Sequence, residues 1–499
     1  MKEWTQSERY RIYTEADKAE LEALHESILN SRWRTDYHIQ PLTGLLNDPN
    51  GFCWFKGKWH LFYQWFPYGA VHGMKHWYHV TSEDLVHWKN EGLALKPDLL
   101  FDNYGCYSGS ALVQDDRVYL AYTGNSKDFD LTRHPYQLLA CMDHAGRITK
   151  YGRPLISPQK GYTEHQRDPK IFEYKGKYYI LLGAQNEEEK GVLLLFESNQ
   201  IEEGWQLLGE VKVRGYENFG FMCECPDIEK IGDKWLLLFS PQGIEKESGR
   251  FEQKFNNIYM TGDFDPEHLE FIPDAPYEEL DCGFDFYAAQ CAAQSQFENA
   301  AVLSGWFGCG GYAYPPTDEE GWSGLLTLPR ILSIENGKLI QRPAPALAEM
   351  KKEILFEAKD GTIVNDRLHG LMPVSAVIHL ENPNLQLFEL SLFSKNGKRG
   401  FEISYDRNTR VLTVDRSLMA NQVNAEYGTV RKVRLDEGLS VLDVYVDHST
   451  VEIFANEGEK VISARVFPEA DEKIIRMGGR DINLSIYRAE KTNDDSLII

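Results

Sequence analysis

The chain has 499 residues, of which 42% are hydrophobic, 12% aromatic and 26% charged, and its formal net charge is −23. This length exceeds what one ordinary hydrophobic core supports and predicts two domains, and the acidic balance argues against nonspecific binding to nucleic acid or anionic membranes. The N-terminal sequence has no apolar secretory segment and no apolar run approaches about 18 residues, which favours a cytoplasmic protein with reduced thiols and no membrane partner.

Residues 1–36 predict an N-terminal helical arm. In the segment ADKAELEALHESILNSRW, Leu21, Leu24, Ile28 and Leu29 recur at helical spacing. We expect this arm to pack against the body of the protein and to carry no chemistry.

Residues 37–342 have a strand pattern with an internal repeat of about 60 residues, in which a polar turn precedes an aromatic-rich strand. The copies are KGKWHLFYQW (56–65), DDRVYLAYTG (115–124), YKGKYYILLGAQ (174–185), IGDKWLLLFSPQG (231–243) and the weaker ENAAVLSGW (298–306). Five copies predict a five-bladed β-propeller. The alternative is a β-sandwich whose hairpins are similar by coincidence.

The repeat ends after residue 342. Residues 343–355 predict a short linker helix, and residues 356–499 alternate apolar and polar positions without the repeat and without tryptophan. This pattern predicts a separate antiparallel β-sandwich, so the fold class expected is all-β: helical arm, propeller, linker and sandwich.

Three acidic residues occupy matching places in the repeat. Asp48 in LLNDPNGF, Asp168 in HQRDPKIF and Glu224 in MCECPDIEKI each lie one or two positions before a proline and lead into a strand. The repeated layout is expected to bring the three carboxyls together at the propeller axis, although a single D-P on its own is more typical of a turn. Converging carboxyls raise the pKa of one of them, and glycoside hydrolysis needs one attacking carboxylate and one protonated acid.

These motifs resemble glycoside hydrolase family 32, which contains invertases, fructanases and sucrose-6-phosphate hydrolases. The resemblance covers nearly the whole chain and implies a five-bladed propeller followed by a β-sandwich, in agreement with the repeat. The matching motifs are NDPNG (47–51), FYQWFP (62–67), HWYHVTSEDLVHW (76–88), GCYSGSA (105–111), RDPK (167–170), ECPD (224–227), DFYAAQ (285–290), LTLPR (326–330) and STVEIFANEGEKVISARVFPE (449–469).

The resemblance implies a retaining double displacement without a cofactor. Asp48 is then the nucleophile, Glu224 the general acid and later the base, and Asp168, with Arg167 beside it, holds the furanose hydroxyls and stabilises the transition state. Cys225 is expected to modulate the acid. The other residues that match sugar-lining positions, each with an ordinary core role as the alternative, are Asn47, Gln64, Trp77, Tyr107, Ser108, Tyr287 and Trp306.

The loop FPYGAVHGMKHW (66–77) bears on the substrate. It gathers His72, Lys75 and His76 within five residues of an acidic chain, and such donors suit a sugar phosphate. The alternative is a solvated lysine beside structural histidines. The expected partner is a small sugar: sucrose, sucrose 6-phosphate or a short fructooligosaccharide.

The sequence leaves three other functions to consider. An exo-acting fructan hydrolase of the same fold is the nearest alternative, and a non-catalytic sugar-binding propeller would not need a protonated acid beside a nucleophile. A metal site at Cys223 and Cys225 lacks the usual C-x₂₋₄-C spacing, so no metal is expected. Asp227, at the end of the same motif, is expected only to cap the turn into its strand.

Overall fold

The structure is a computed structural model, and it describes residues 2–247, 249–361, 366–369, 372–382, 386–395, 400–479 and 482–499. These residues are mostly β-strand, and they include helices α1 (Gln6–Arg9), α2 (Lys18–Ile28) and α3 (Pro315–Glu320). Short 3-10 segments lie at Glu15–Asp17, Leu100–Asp102, Pro345–Met350, Ala425–Tyr427 and Asn456–Gly458. None of the helices described is long and apolar enough to cross a membrane.

The helical arm forms where the sequence predicts it. Thr5 and Glu8 cap the first turn of α1 reciprocally, which satisfies backbone donors that have no partner within the helix. In α2, Leu21, His25 and Ile28 are buried against the body of the protein, as their spacing on one helix face requires.

Five sheets follow, within the described part of residues 44–343. Sheet I contains β1 (Gly44–Phe55), β2 (Lys58–Phe66), β3 (His76–Ser82) and β4 (Trp88–Leu95). Sheet II contains β5 (Cys106–Gln114), β6 (Arg117–Lys127), β7 (Arg133–Met142) and β8 (Ile148–Ile156). Sheet III contains β9 (Tyr162–Tyr174), β10 (Lys177–Asn186), β11 (Gly191–Ser198) and β12 (Gln206–Glu210).

The remaining two sheets complete this part of the chain. Sheet IV contains β13 (Lys212–Val213), β14 (Met222–Ile231), β15 (Lys234–Gln242), β16 (Ile258–Asp265), β17 (Glu270–Pro273) and β18 (Glu278–Glu279). Sheet V contains β19 (Tyr287–Cys291), β20 (Ala301–Trp306), β22 (Arg330–Glu335) and β23 (Lys338–Pro343), whereas β21 (Trp322–Ser323) pairs in parallel with β1 of sheet I.

The five sheets form a propeller-like ring. Their innermost strands β1, β5, β9, β14 and β19 contact one another in this order, and β19 contacts β1 to close the cycle. Successive residues of β10, the second strand of sheet III, face opposite neighbouring sheets: Leu181 packs with sheet IV and Leu182 with sheet II. Both faces of such a strand are therefore buried, which explains the continuous apolar runs in the repeat.

The C-terminal part is a sandwich of two six-stranded sheets in the described residues. One contains β24 (Lys351–Gly361), β26 (Ser375–Glu381), β31 (Val441–Asp447), β32 (Thr450–Ala455), β33 (Lys460–Arg465) and β35 (Ile482–Ala489). The other contains β25 (Asp366–His369), β27 (Leu387–Ser394), β28 (Phe401–Asp406), β29 (Val411–Asp415), β30 (Val430–Arg434) and β34 (Ile474–Gly479). The predicted all-β class, with a propeller-like part and a sandwich, is confirmed.

The linker differs from the helix predicted over 343–355. Only Pro345–Met350 is helical, as a 3-10 segment, and β24 begins directly at Lys351 because that residue pairs with Ala489 of the sandwich. The two domains also share buried charges: Arg330 donates to Asp281 at 2.7 Å and to Glu452 of the sandwich at 3.2 Å. Buried charges of this kind require complete pairing, so they fix how the sandwich sits on the ring.

Candidate active site

Every innermost strand of the ring has a break in register near the axis. The breaks lie between Leu46 and Pro49, Cys106 and Gly109, Arg167 and Lys170, Glu224 and Asp227, and Tyr287 and Gln290. Three residues inside them adopt a positive φ: Asp168 (+67°), Cys225 (+47°) and Ala288 (+51°). A bulge of this kind turns a side chain away from the regular pleat, and here it directs the side chains of neighbouring strands towards one another.

The prolines of the three acidic motifs lie in these breaks or directly beside them. Pro169 and Pro226 lie inside a break, where the missing N–H group leaves no partner unsatisfied, and Pro49 is the first paired residue after its break, opposite Tyr63. This is the physical reason for the D-P and E-x-P spacing that marks the sequence.

Asp48 is held by donors on one side and lies near a second carboxyl. Asn47 Nδ2 donates to its Oδ1 at 3.0 Å, and Ser108 Oγ donates to its Oδ2. Burial raises the pKa of Asp48 and so does the charge of Glu224, whereas the Ser108 and Asn47 hydrogen bonds and Lys75 lower it. The donors therefore favour the ionised form against the effect of burial.

Glu224 receives hydrogen bonds from three residues. Arg167 donates to Oε1 from Nε at 3.0 Å and from Nη2 at 2.6 Å. Gln242 Nε2 donates to Oε2 at 2.7 Å, and the Tyr287 hydroxyl donates to the same oxygen at 2.6 Å. The carboxyl is thus fixed in position by sheets III, IV and V.

Asp168 is buried and has a raised pKa. The backbone N–H of Cys225 donates to its Oδ2 at 2.9 Å, and its own N–H donates to Thr123 Oγ1 at 2.9 Å. Burial raises the pKa of Asp168 to about 7; the charges of Glu224 and Asp48 act in the same direction, and Arg167 opposes them. The cluster therefore retains a proton at a pH where an ordinary aspartate has lost it.

Cys225 connects the carboxyls. Its Sγ lies 3.9 Å from Asp48 Oδ2 and 3.7 Å from Asp168 Oδ2, and burial beside these charges raises the pKa of the thiol well above its usual value. Cys223 is fully buried in the apolar cluster between sheets III and IV. The two cysteines thus have different surroundings, one apolar and one acidic.

Asn47, Gln64 and Lys75 form a chain behind the nucleophile. Asn47 Nδ2 donates to Gln64 Oε1 at 2.6 Å, and Gln64 Nε2 donates to Ser108 Oγ at 2.6 Å. Lys75 Nζ donates to Asn47 Oδ1 and lies 3.0 Å from His72 Nδ1. Burial lowers the pKa of Lys75 to about 7, against the effect of Asp48. Lys75 is therefore buried beside the nucleophile, whereas the sequence pattern placed it at a phosphate.

Of the predicted aromatic residues, Trp306, Tyr287 and Tyr107 lie at the site, whereas Trp77 lies in the core behind it. Trp306 lies beside His72, with ring centres 5.9 Å apart, and beside Tyr287 at 6.5 Å, and Tyr107 is half-buried. Trp77 is a correction: its side chain has 0% exposure and cannot touch a sugar. Its Nε1 donates to the Tyr107 carbonyl at 3.0 Å, so it supports the wall from behind. The cause is that Trp77 faces the core between sheets I and II.

Two features of the site were not expected from the sequence. Gln242 contacts Glu224, and the only signal for it was its place at the end of the fourth repeat strand, in SPQG. Asp227 does more than cap a turn: it is buried, pairs with Lys170 Nζ at 2.7 Å and accepts the Cys291 N–H at 2.8 Å. The ion pair joins β14 to β9, and the hydrogen bond joins β14 to β19, so Asp227 links three innermost strands.

Comparisons with known proteins agree on one family. The model of the glycosyl hydrolases family 32 N-terminal domain matches residues 38–343, and that of the family 32 C-terminal domain matches residues 349–486. The chain is 39% identical to a sucrose-6-phosphate hydrolase of Staphylococcus xylosus over 94% of both chains. It is 37% identical to that of Streptococcus mutans, over 93% of this chain and 94% of the relative.

Solved structures show the same likeness. The sucrose-6-phosphate hydrolase from Lactobacillus gasseri aligns with a TM-score of 0.92 and 34% identity, over 98% of this chain and all (100%) of that one. The GH32 β-fructofuranosidase of Bombyx mori, also solved as a variant in complex with sucrose, aligns with a TM-score of 0.82 and 30% identity over 96% of this chain and 99% of that one.

Proposed function

Because the chain belongs to glycoside hydrolase family 32, we propose that it is a retaining β-fructofuranosidase that hydrolyses the fructosyl bond of sucrose 6-phosphate and of sucrose. The observation that carries this proposal is the convergence of Asp48, Asp168 and Glu224, from three different sheets, around Cys225. Near neutral pH such a cluster supplies both a carboxylate and an acidic proton, the two groups that glycosidic cleavage needs.

In the first step, Asp48 attacks the anomeric carbon of the fructosyl unit. Asn47 and Ser108 each donate to one of its oxygens, so they favour the ionised form of the attacking group and fix its direction. Attack breaks the bond to the leaving sugar and forms a fructosyl ester on Asp48, and water later cleaves this ester.

Glu224 serves as acid in the first step and as base in the second. It protonates the oxygen of the leaving sugar, and it then takes a proton from the attacking water. Arg167, Gln242 and Tyr287 donate to its carboxyl and fix it in position. As the acid of the first step, Glu224 must carry a proton.

The cluster itself can supply that proton. Without substrate the carboxyl cluster holds a proton near neutral pH, since burial raises the pKa of Asp168 to about 7. Furanose hydroxyls that donate to Asp168 favour its ionised form, and the resulting negative charge favours protonation of the neighbouring carboxyl. Substrate binding would thus move the proton from Asp168 to Glu224, where the chemistry needs it.

The substrate class rests on the relatives. The relatives that cover more than nine-tenths of this chain include sucrose-6-phosphate hydrolases at 34–39% identity. A phosphorylated disaccharide also suits a cytoplasmic location, which is part of this proposal. No contact in the described residues specifically favours a fructan over a disaccharide.

Steady-state kinetics test the proposal. Purified enzyme should release fructose from sucrose 6-phosphate and from sucrose, and Asp48→Asn should lower kcat by about 10³-fold or more, since it removes the nucleophile. Asp233→Asn, in an exposed turn, is the matched control and should leave kcat unchanged. Fructose release by Asp48→Asn at the wild-type rate would refute the assignment of the nucleophile.

A further inference from the structure

Three cations lie at the mouth of the site around Tyr104 and Tyr107. They are Arg9 at the end of α1, Lys127 at the end of β6 and Arg133 at the start of β7. In the part of the chain that the structure describes, none of the three has a carboxylate within ion-pair distance. Cations without a counter-ion are notable in a chain with a net charge of −23, because acidic partners are abundant.

The guanidinium of Arg133 is fixed through its Nε, while its two terminal nitrogens are left to bind a ligand. Its Nε donates to Asn125 Oδ1 at 2.7 Å, and its guanidinium carbon lies 5.4 Å from the centre of the Tyr107 ring. Its two terminal nitrogens donate to no acceptor in the described residues. A guanidinium fixed in this way presents a pre-organised pair of donors that matches two oxygens of a phosphate.

Tyr107 places Arg133 next to the catalytic centre. Burial raises the pKa of Tyr107, while Arg133 and Arg167 lower it and Asp168 raises it, so all three charged groups lie close to this phenol. Arg167 in turn holds Glu224, the residue that faces the leaving sugar in the proposed function. Arg133 therefore lies on the leaving-group side of the site.

The N-terminal arm brings a second arginine to the same rim. Arg9 Nε donates to the His72 carbonyl at 2.8 Å, and the Arg9 carbonyl accepts the Met74 N–H at 2.6 Å. The next residue, Tyr10, packs against Tyr104 with ring centres 4.7 Å apart. The arm, which the sequence suggested was only structural, is thus fastened to the loop that carries His72.

We propose that Arg133, with Arg9 of the N-terminal arm, binds the dianionic phosphate of a phosphomonoester on the leaving sugar. This deepens the proposed function and rests on it. Lys75, the cation that the sequence favoured for this role, is engaged with Asn47 beside the nucleophile, so it serves the fructosyl end of the substrate.

The test is the ratio of kcat/KM for sucrose 6-phosphate to kcat/KM for sucrose. Arg133→Gln and Arg9→Gln should each lower this ratio by about 10- to 100-fold, the effect of losing a charge-assisted hydrogen bond to phosphate. Arg133→Lys should restore part of the Arg133→Gln loss. Arg147→Gln is the matched control, since Arg147 lies exposed in the turn between β7 and β8 and pairs with Asp143, and it should leave the ratio unchanged.

The outcomes distinguish a failure of the phosphate site from a failure of the proposed function. If wild-type enzyme releases no fructose from either substrate, the proposed function fails. If it cleaves both and neither arginine variant changes the ratio, only the phosphate site is wrong. Should Arg133→Gln fail to fold, inhibition of sucrose hydrolysis by inorganic phosphate gives the answer: Arg9→Gln should raise the inhibition constant about 10-fold, and an unchanged constant would overturn the proposal.

Discussion

Replacing Asp168 by asparagine should stabilise the protein while it impairs catalysis. The side chain is 6% exposed and has a pKa of about 7, compared with about 3.9 for an unfolded aspartate. The folded state therefore binds more protons than the unfolded state between about pH 4 and pH 7, and native stability falls as the pH rises through this window. Asparagine keeps the acceptor for the Cys225 N–H but carries no charge.

The size of the effect follows from the shift. A difference of about 3 pH units corresponds to at most about 4 kcal/mol above pH 7. Asp48 and Glu224 remain close to each other in the variant and keep part of the repulsion, so we expect a gain of about 2 kcal/mol at pH 8. Near pH 4 the carboxyl is protonated in the folded state and the two proteins should be about equally stable.

Thermal and urea unfolding from pH 4 to pH 8 measure this difference. Asp233→Asn, in an exposed turn, serves as the control and should show no gain that grows with pH. The variant Asp168→Asn should also lose most of its activity, because it can no longer act as an ionised acceptor for the furanose hydroxyls. A stability difference that is independent of pH, or a loss of stability at pH 8, would refute the reasoning.

Three further predictions concern the proton in this cluster. First, kcat/KM should fall as the pH rises above about 7, since the free enzyme then loses the proton that Asp168 holds; a profile that stays flat to pH 9 would contradict this. Second, Tyr287→Phe should lower kcat by about 10-fold, because Glu224 loses one of the hydrogen bonds that fix its carboxyl in position, whereas Tyr174→Phe at the C-terminal end of β9 should leave kcat unchanged. Third, Cys225→Ser should shift a limb of the pH–rate profile, since the thiol lies within 4 Å of Asp48 and Asp168; an identical profile would reduce the residue to packing.

The periodic parts of the fold could be predicted from the sequence. The repeat of a polar turn and an aromatic strand indicated the ring of sheets, since each copy buries both faces of a strand between neighbours. The D-P and E-x-P spacings identified Asp48, Asp168 and Glu224, because each proline lies in or directly beside an interruption of strand pairing.

The rest depends on contacts between distant parts of the chain. Nothing local indicates that Asp168 and Cys225 adopt a positive φ, because the bulges are set by the register of neighbouring strands. Trp77 looked like a lining residue, yet the face of β3 that carries it packs against sheet II. Gln242 contacts Glu224 only because β15 ends beside the start of β14. Arg9 lies at the mouth of the active site only because the N-terminal arm contacts the loop that carries His72.

The stereochemistry of transfer to methanol tests the central claim most directly. A fructosyl ester on Asp48 that is attacked by methanol from the opposite face gives methyl β-D-fructofuranoside, which proton NMR distinguishes from the α anomer. Wild-type enzyme acting on sucrose in aqueous methanol should form the β anomer, and Asp48→Asn should form neither. Formation of the α anomer, or of methyl glucoside in place of the fructoside, would contradict a retaining attack by Asp48 on the fructosyl carbon.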